Sequence, residues 1–337
     1  MKRIFFIKLR WVYILFVFFI GVLWWNECRN YQKEIYSSIL EGTILTWKSG
    51  KSFKENHILL LNPNEVSDYV EFDFHHIKEN LGIDVIYTMI FDGMGFYLLT
   101  GSNEQENNVQ LLYVSESGTQ LIQRNLMCKD WGRSGFIPSK DSLYLKMDQF
   151  LYKIDTQEKA IHLVKDFGEN KVIAYPYQNG IVYQWRDEIK SLTDKGENEL
   201  CFIPHNMNFD GWYDMGTSIL LSNLNRETYI MDLQSGQLQR FADFLFVNYG
   251  TNKNGLLLEL MPKGGGGATP FDTIYTPSVL LGNDAFTAFT VSIYNKETQR
   301  IKNIYYSDND VTSCWLDIPY NKKYFEKIAY VINHTLK

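Results

Sequence analysis

The chain contains 337 residues, 45% of them apolar and 15% aromatic, and carries a formal net charge of -6 at pH 7. This composition can bury a large core and excludes a disordered chain. Because the balance is acidic and Lys and Arg are scattered beyond residue 10, the sequence predicts no basic face and no nucleic-acid partner.

The first element in chain order is an uncharged, apolar segment at residues 11–25 (WVYILFVFFIGVLWW). Its fifteen residues span roughly 22 Å as a helix, which is short for a bilayer hydrocarbon core of about 30 Å. The apolar residues Ile4–Ile7 extend the segment to an adequate length, because Lys8 and Arg10 lie near one end and can reach the headgroups. We therefore predict a transmembrane signal anchor at 11–25.

The charges that flank this segment predict its orientation in the cell membrane. Four basic residues and no acidic residue precede it, namely Lys2, Arg3, Lys8 and Arg10, whereas charges of both signs follow it. The positive-inside rule then places residues 1–10 in the cytoplasm and the remainder of the chain outside it. Residues 26–41 are predicted to form a juxtamembrane stalk.

Two other interpretations of the apolar segment compete with the anchor. A basic start followed by an apolar run also matches a cleaved signal peptide, but bulky Trp24 and Trp25 stand where a signal peptidase needs small residues. A buried core helix is the remaining interpretation.

The four cysteines do not predict a disulfide framework. They are few, they are widely separated, and no C-x-x-C pair occurs among Cys28, Cys128, Cys201 and Cys314. Burial is their expected role. Export would permit a disulfide between two of them, and the spacing does not show which.

Beyond the stalk, a strand, a turn and a second strand recur about every 40 residues, a period typical of a propeller blade of four short strands. The copies are Leu112–Gly118, Tyr152–Glu158, Lys190–Gly196 and Tyr229–Gly236, with a weaker one at Val291–Thr298. A second landmark, a short apolar strand, keeps the same period at Ile58–Leu61, Phe96–Leu99, Leu143–Leu145, Ile181–Tyr183, Ile219–Leu221 and Leu256–Leu258.

The chain thus resembles a β-propeller over roughly residues 42–310. The phrase Tyr229–Gly236 is similar to the strand and turn pattern of quinoprotein-like and other bacterial propellers. This resemblance implies an architecture and assigns no specific family or function. We predict an all-β fold of about six four-stranded blades, or seven if the N- and C-terminal strands complete another, at 42–82, 83–127, 131–168, 171–206, 208–243 and 245–306.

The C-terminal segment 311–337 is predicted to contain an amphipathic helix that docks on the propeller. Apolar side chains recur at helical spacing within Asn321–Leu336, at Tyr324, Phe325, Ile328, Val331 and Ile332.

A glycine-rich insertion stretches the last predicted blade. It contains Lys263, Gly264, Gly265, Gly266 and Gly267. The order of these residues does not match a Walker A phosphate loop, and no helix is predicted to follow them. We predict a flexible insertion that contacts a ligand or a partner.

Two polar and aromatic clusters are candidates for a central binding face. One contains Asp92, and the other contains Asp210, Trp212, Tyr213 and Asp214. The competing interpretation gives them a structural role, in which Asp caps a turn and Gly supplies a positive φ. A metal site at His75 and His76 is disfavoured, because adjacent residues of a predicted strand point to opposite faces.

No cofactor, metal or catalytic motif is predicted, and G-x-S-x-G does not occur. We expect a membrane-anchored binding or scaffold module outside the cytoplasm, with a protein, peptide or envelope glycan as its partner. The alternative is an extracytoplasmic hydrolase or lyase that uses Asp92, Asp210 and Asp214 as funnel carboxylates.

Overall fold

The structure is a computed structural model. It describes residues 16–26, 40–48, 58–101, 109–126, 135–139, 142–168, 172–177, 179–213, 218–223, 227–242, 245–252, 255–261, 289–295, 300–307 and 311–334. Within these ranges the chain is dominated by antiparallel strands, as its aromatic and β-branched content predicts.

The strands form six four-stranded sheets within the described ranges. Five of them are consecutive blades, each made from one uninterrupted run of four strands. Blade 1 contains β4 (Val85–Phe91), β5 (Gly95–Gly101), β6 (Val109–Ser115) and β7 (Gly118–Leu126). Blade 2 contains β8 (Gly135–Ser139), β9 (Ser142–Met147), β10 (Phe150–Asp155) and β11 (Ala160–Asp166). Blade 3 contains β12 (Ala174–Tyr177), β13 (Gly180–Trp185), β14 (Glu188–Thr193) and β15 (Gly196–Phe202).

Blade 4 contains β16 (Met207–Tyr213), β17 (Ser218–Asn223), β18 (Thr228–Asp232) and β19 (Leu238–Ala242). Blade 5 contains β20 (Leu245–Asn252), β21 (Gly255–Met261), β22 (Phe289–Asn295) and β23 (Arg300–Ser307). The remaining sheet, here called the composite sheet, has the order β24-β1-β2-β3. It joins β1 (Thr43–Lys48), β2 (Ile58–Asn62) and β3 (Glu65–Phe72) to β24 (Val311–Leu316) from the other end of the sequence.

The sheets are arranged as a β-propeller, which confirms the predicted architecture. The first strands of successive blades lie next to one another, and β20 of blade 5 lies next to β24. The prediction of six or seven successive blades is corrected to five, because residues 42–82 do not form a blade by themselves. Their sheet takes its inner strand from residues 311–316, which extends the sheet assembly beyond the predicted boundary at 310.

The five copies of the sequence repeat coincide with the hairpin between the third and fourth strands of each consecutive blade. A carboxylate closes two of these turns. Asp155 Oδ1 accepts the backbone N–H groups of Gln157 and Glu158, and Asp232 Oδ1 accepts those of Gln234 and Ser235. The turns of blades 2 and 4 are therefore stabilised by the same local hydrogen bonds.

The described core lies in layers between neighbouring sheets. One cluster joins the composite sheet to blade 1 through Phe72, Phe91, Phe96 and Leu316. Two further clusters occupy the spaces between blades 2 and 3 and between blades 3 and 4. Among the described residues, blades 1, 2 and 3 therefore each pack against both of their neighbours.

Two short helices cover the junction between the composite sheet and blade 1. Helix α2 (His75–Leu81) ends at Gly82, which has a φ of 62°. The prediction that His75 and His76 lie on a strand is therefore wrong, because both belong to this helix. Within it, His75 Nε2 lies 3.2 Å from Glu79 Oε1.

The predicted amphipathic C-terminal helix is confirmed as α3 (Lys322–His334), which buries Phe325, Ile328, Ala329 and Ile332. The Phe325 ring meets the Phe91 ring edge-on, with their centroids 5.5 Å apart. Lys322 Nζ lies 2.8 Å from Asp68 Oδ1, which joins the start of the helix to β3.

Helix α1 is described only over residues 16–26, so residues 11–15 of the predicted anchor lie outside the described ranges. The large apolar side chains between Phe16 and Trp25 are exposed on it. Among the helices of the described ranges, none is long and apolar enough to cross a membrane.

We predict that Gly42→Ala destabilises the propeller by about 2–4 kcal/mol, since it combines backbone strain with overpacking. Gly42 has a φ of 110°, and a Cβ there would lie 2.6 Å from Trp315 Nε1 and 2.8 Å from the Leu316 carbonyl oxygen. Denaturant unfolding of the full chain in detergent measures the loss.

Gly196→Ala is the matched control. Gly196 also has a φ of 110°, but no described atom lies within 4 Å of a Cβ built there. We expect only the backbone strain, about 1–2 kcal/mol. Equal losses for the two variants would contradict a steric role for the contact between Gly42 and the closing strand.

Candidate functional site

An open cavity of about 760 Å³ lies between blades 1 and 2 and the end of β24. The turn at 92–94, the segment 153–159 with the side chain of His162, and residues 316–318 all contribute to its lining. We call it the inter-blade cavity. Because antiparallel strands alternate in direction, the turn after β4, the turn after β10 and the end of β24 meet on the same face of the propeller.

Asp92 forms the blade 1 side of the inter-blade cavity, and its carboxylate is engaged by protein donors. Oδ1 accepts the backbone N–H groups of Met94 and Gly95, both at 2.9 Å, and the Tyr113 hydroxyl at 3.2 Å. Gly93 has a φ of 97° in this turn. The structural interpretation of the cluster, in which Asp caps a turn and Gly supplies the positive φ, is therefore confirmed for Asp92 and Gly93.

Lys159 of blade 2 reaches back across the blade boundary to this carboxylate. Its Nζ lies 3.4 Å from Asp92 Oδ2 and donates to the Tyr97 hydroxyl at 3.0 Å. The ammonium also lies 3.6 Å from the centroid of the Tyr113 ring, within the range of a cation–π interaction. The side chains of Lys159 and Asp92 are only 20% and 17% exposed, so water screens this pair weakly.

The two tyrosines of this cluster stay protonated over the physiological range. Burial raises the pKa of Tyr97 far above its usual value, and the negative charge of Asp92 raises it further. Burial likewise raises the pKa of Tyr113, with the charge of Asp92 and the hydrogen bond to it as additional causes. Tyr113 is therefore a fixed hydrogen-bond donor to Asp92 and has no role as a base.

Asp92 is the one predicted site residue whose side chain is described, and it lines the cavity. The backbone of Asp210, Trp212 and Tyr213 belongs to β16, in blade 4, and their side chains are not described. Asp214 and the glycine-rich run of Lys263, Gly264, Gly265, Gly266 and Gly267 lie outside the described residues.

No sequence pattern predicts a binding role for Lys159 or Asp317, and Asp155 is predicted only as part of the repeat. Asp155 ends β10 and Asp317 follows β24, and both line the cavity. One feature of the sequence could have predicted that Asp92 and Asp155 lie together. Both are Asp residues that end a strand and begin a turn, and the turns that follow β4 and β10 lie on the same face of the propeller. Among the described residues no group of His, Cys, Asp and Glu is arranged to hold a metal ion, and Cys201 and Cys314 are unpaired thiols.

We predict that Lys159→Met lowers the stability of the full chain by about 2 kcal/mol, because it leaves Asp92 without its cation in a poorly solvated place. Methionine retains the aliphatic packing against the tyrosine rings. Thermal unfolding in detergent provides the measurement.

Lys153→Met is the control for this substitution. Lys153 Nζ lies 3.2 Å from Asp194 Oδ1 in a more exposed pair. We expect a loss of less than about 0.5 kcal/mol there. A Lys159→Met protein as stable as the Lys153→Met protein would show that the Lys159 cluster does not stabilise the blade boundary.

No protein-family profile and no curated protein matches this chain. Among solved structures it is similar to TolB from Acinetobacter baumannii, with 11% identity and a TM-score of 0.49 over 83% of this chain and 67% of TolB. It is also similar to the extracellular domain of a putative one-component system from B. thetaiotaomicron, with 11% identity and a TM-score of 0.43 over 80% of this chain and 35% of that one. A third similar structure is a putative 6-phosphogluconolactonase from Bacteroides uniformis, with 9% identity and a TM-score of 0.41 over 81% of this chain and 100% of that one. At these identities the likeness concerns the fold alone.

Proposed function

We propose that this protein is a membrane-anchored binding module whose propeller lies outside the cytoplasm and binds a protein, peptide or envelope glycan partner through the inter-blade cavity. The observation that carries the proposal is the cavity itself, an open space of about 760 Å³ with apolar and charged lining. Ligand-binding sites are usually concave and combine apolar surface with polar groups that orient the ligand.

The state of Asp92 favours binding over hydrolysis at this cavity. A general base or nucleophile needs an oxygen that is free to approach the substrate. Both Asp92 oxygens already have partners, which are two backbone N–H groups and Tyr113 on one side and Lys159 on the other. This carboxylate therefore stabilises the turn and the boundary between blades 1 and 2, and we propose no catalytic step for it.

The sequence and the exposed surface of α1 support the anchor. Its side chains from Phe16 to Trp25 are apolar and exposed, which is costly in water and favourable in hydrocarbon. The basic residues before the segment support a cytoplasmic N-terminus.

We predict that a photo-crosslinking amino acid, p-benzoylphenylalanine, captures the partner when it replaces Met94 in native membranes. Met94 lines the cavity and is 69% exposed. The same amino acid at Phe202, which is 63% exposed in β15 of blade 3, is the matched control. A discrete adduct at position 94 alone is expected. No adduct, or the same adducts from both positions, would count against binding at the cavity.

We predict that the full chain stays with the membrane during alkaline extraction, whereas a variant with Phe18→Arg and Phe19→Arg is released. Each central arginine costs about 2.5–3.5 kcal/mol in a membrane helix. A variant with leucine at both positions controls for changes in side-chain shape and should remain in the membrane. Equal extraction of all three proteins would rule out the anchor.

The orientation is checked in the same cells. A membrane-impermeant amine reagent added to intact spheroplasts should modify lysines of the propeller. Modification only after the membrane is broken would place the propeller on the cytoplasmic side.

A further inference from the structure

The charges around the inter-blade cavity do not cancel. Lys159 is paired with Asp92, and Lys153 is paired with Asp194 of blade 3. Two carboxylates of the lining remain after these pairs, Asp155 and Asp317. His162 is the remaining ionisable side chain of the lining, and the two carboxylates outnumber the single charge it can carry. The cavity is therefore anionic at neutral pH.

Asp155 presents one carboxylate oxygen to a ligand. The backbone N–H groups of Glu158 and Gln157 bond to Oδ1 and hold the pKa of this carboxyl below its usual value, with smaller effects from His162 and Lys153. None of the described residues donates a hydrogen bond to Oδ2. The turn thus fixes an ionised carboxylate at the cavity edge with half of its acceptor capacity available.

Asp317 supplies the second carboxylate, from the end of β24 rather than from blade 2. It follows Leu316, the last residue of β24, and its side chain is exposed. The next residue is held in place, because the Thr43 hydroxyl donates to the Ile318 carbonyl oxygen at 2.7 Å. No described residue is paired with the Asp317 carboxylate, so its position depends on the backbone that closes the propeller.

The rest of the lining favours a peptide over a glycan. The apolar floor that a ligand can reach comes from Met94, Pro138 and Ile318, because Ile90, Leu143 and Ile154 are at most 7% exposed. A sugar ring binds best on a flat aromatic surface, and Phe91, the one aromatic residue among the lining residues described, is only 1% exposed. An aliphatic floor beside two carboxylates is complementary to a chain that carries apolar and basic side chains together.

We propose that the inter-blade cavity binds a peptide segment in which a lysine or arginine adjoins an aliphatic side chain. The cation lies between the carboxylates of Asp155 and Asp317, and the aliphatic group packs on the floor beneath them. This inference rests on the proposed function and specifies the chemical class of its partner.

The test measures binding of labelled peptides to the full chain in detergent by fluorescence anisotropy. The basic probe is acetyl-Gly-Leu-Lys-Leu-Lys-Gly-amide, and the comparison probes have Glu in place of Lys or Ser in place of Leu. We expect the basic and apolar probe to bind best and to weaken as salt screens the charges. Asp155→Asn and Asp317→Asn should each weaken binding about three- to tenfold, in keeping with partly exposed ion pairs.

Asp232→Asn is the matched control. Asp232 closes the equivalent hairpin of blade 4 with the same backbone hydrogen bonds as Asp155, and it does not line the cavity. Each variant therefore removes one carboxylate charge from an equivalent turn, and only Asp155→Asn should weaken binding of the basic probe. Equal thermal stability of the two proteins confirms that they are folded alike.

The outcomes separate this inference from the function on which it rests. A basic probe that binds the Asp155→Asn, Asp317→Asn double variant as tightly as the unaltered chain overturns the inference, and so does the absence of binding up to about 1 mM, the limit of weak recognition. If the acidic probe or a chitooligosaccharide binds instead and Met94→Arg abolishes that binding, the inference fails and the binding function stands. If no probe binds and position 94 gives no crosslink, both fail.

Discussion

The pairing of β1 with β24 is the constraint on which the structure depends. Six residue pairs, from Thr43 with Leu316 to Lys48 with Val311, join the two ends of the propeller. The chain-entropy cost of so long a closure rises only slowly with its length, so one well-packed strand pair can offset it. Gly42 fits beneath the Trp315 ring at this point, where a side chain would collide. The same strand pairing positions residues 316–318 at the inter-blade cavity, so the candidate site depends on the pairing that closes the propeller.

Lysine side chains join blade 2 to both of its neighbours. Lys159 bonds to Asp92 and Tyr97 of blade 1. On the other side, Lys153 pairs with Asp194 and Lys165 with Glu197, both of blade 3. In all three contacts the ammonium also lies near the ring of a tyrosine from the second strand of a blade, Tyr97, Tyr144 or Tyr183. Such contacts gain strength where side chains are shielded from water, as at the boundary between blades 1 and 2.

The sequence predicted the parts of the fold that local chemistry determines. The repeat marks the hairpins of the five consecutive blades because the third and fourth strands of each blade are adjacent in sequence, and α3 is evident from its apolar spacing. The assignment failed for the composite sheet, where Ile58–Leu61 takes the third position although its counterparts take the second. That shift depends on a strand more than 200 residues away, which no periodicity can reveal. The sequence around Asp92 predicts its role in a turn. Its partner Lys159 is 67 residues away, and no local sequence pattern predicts that the two side chains meet.

The two kinds of carboxylate in the cavity differ in what a ligand can gain from them. Asp92 has exchanged water for protein donors, and a ligand that competes for it must break bonds already made. Asp155 and Asp317 remain in contact with water, so their charges add little to stability in the free protein. A bound aliphatic group excludes part of that water and lowers the local dielectric, which strengthens the attraction of both carboxylates for a cation on the same ligand. Apolar contact and charge therefore reinforce each other only when one partner supplies both, so the proposed peptide site would discriminate among peptides by this coupling.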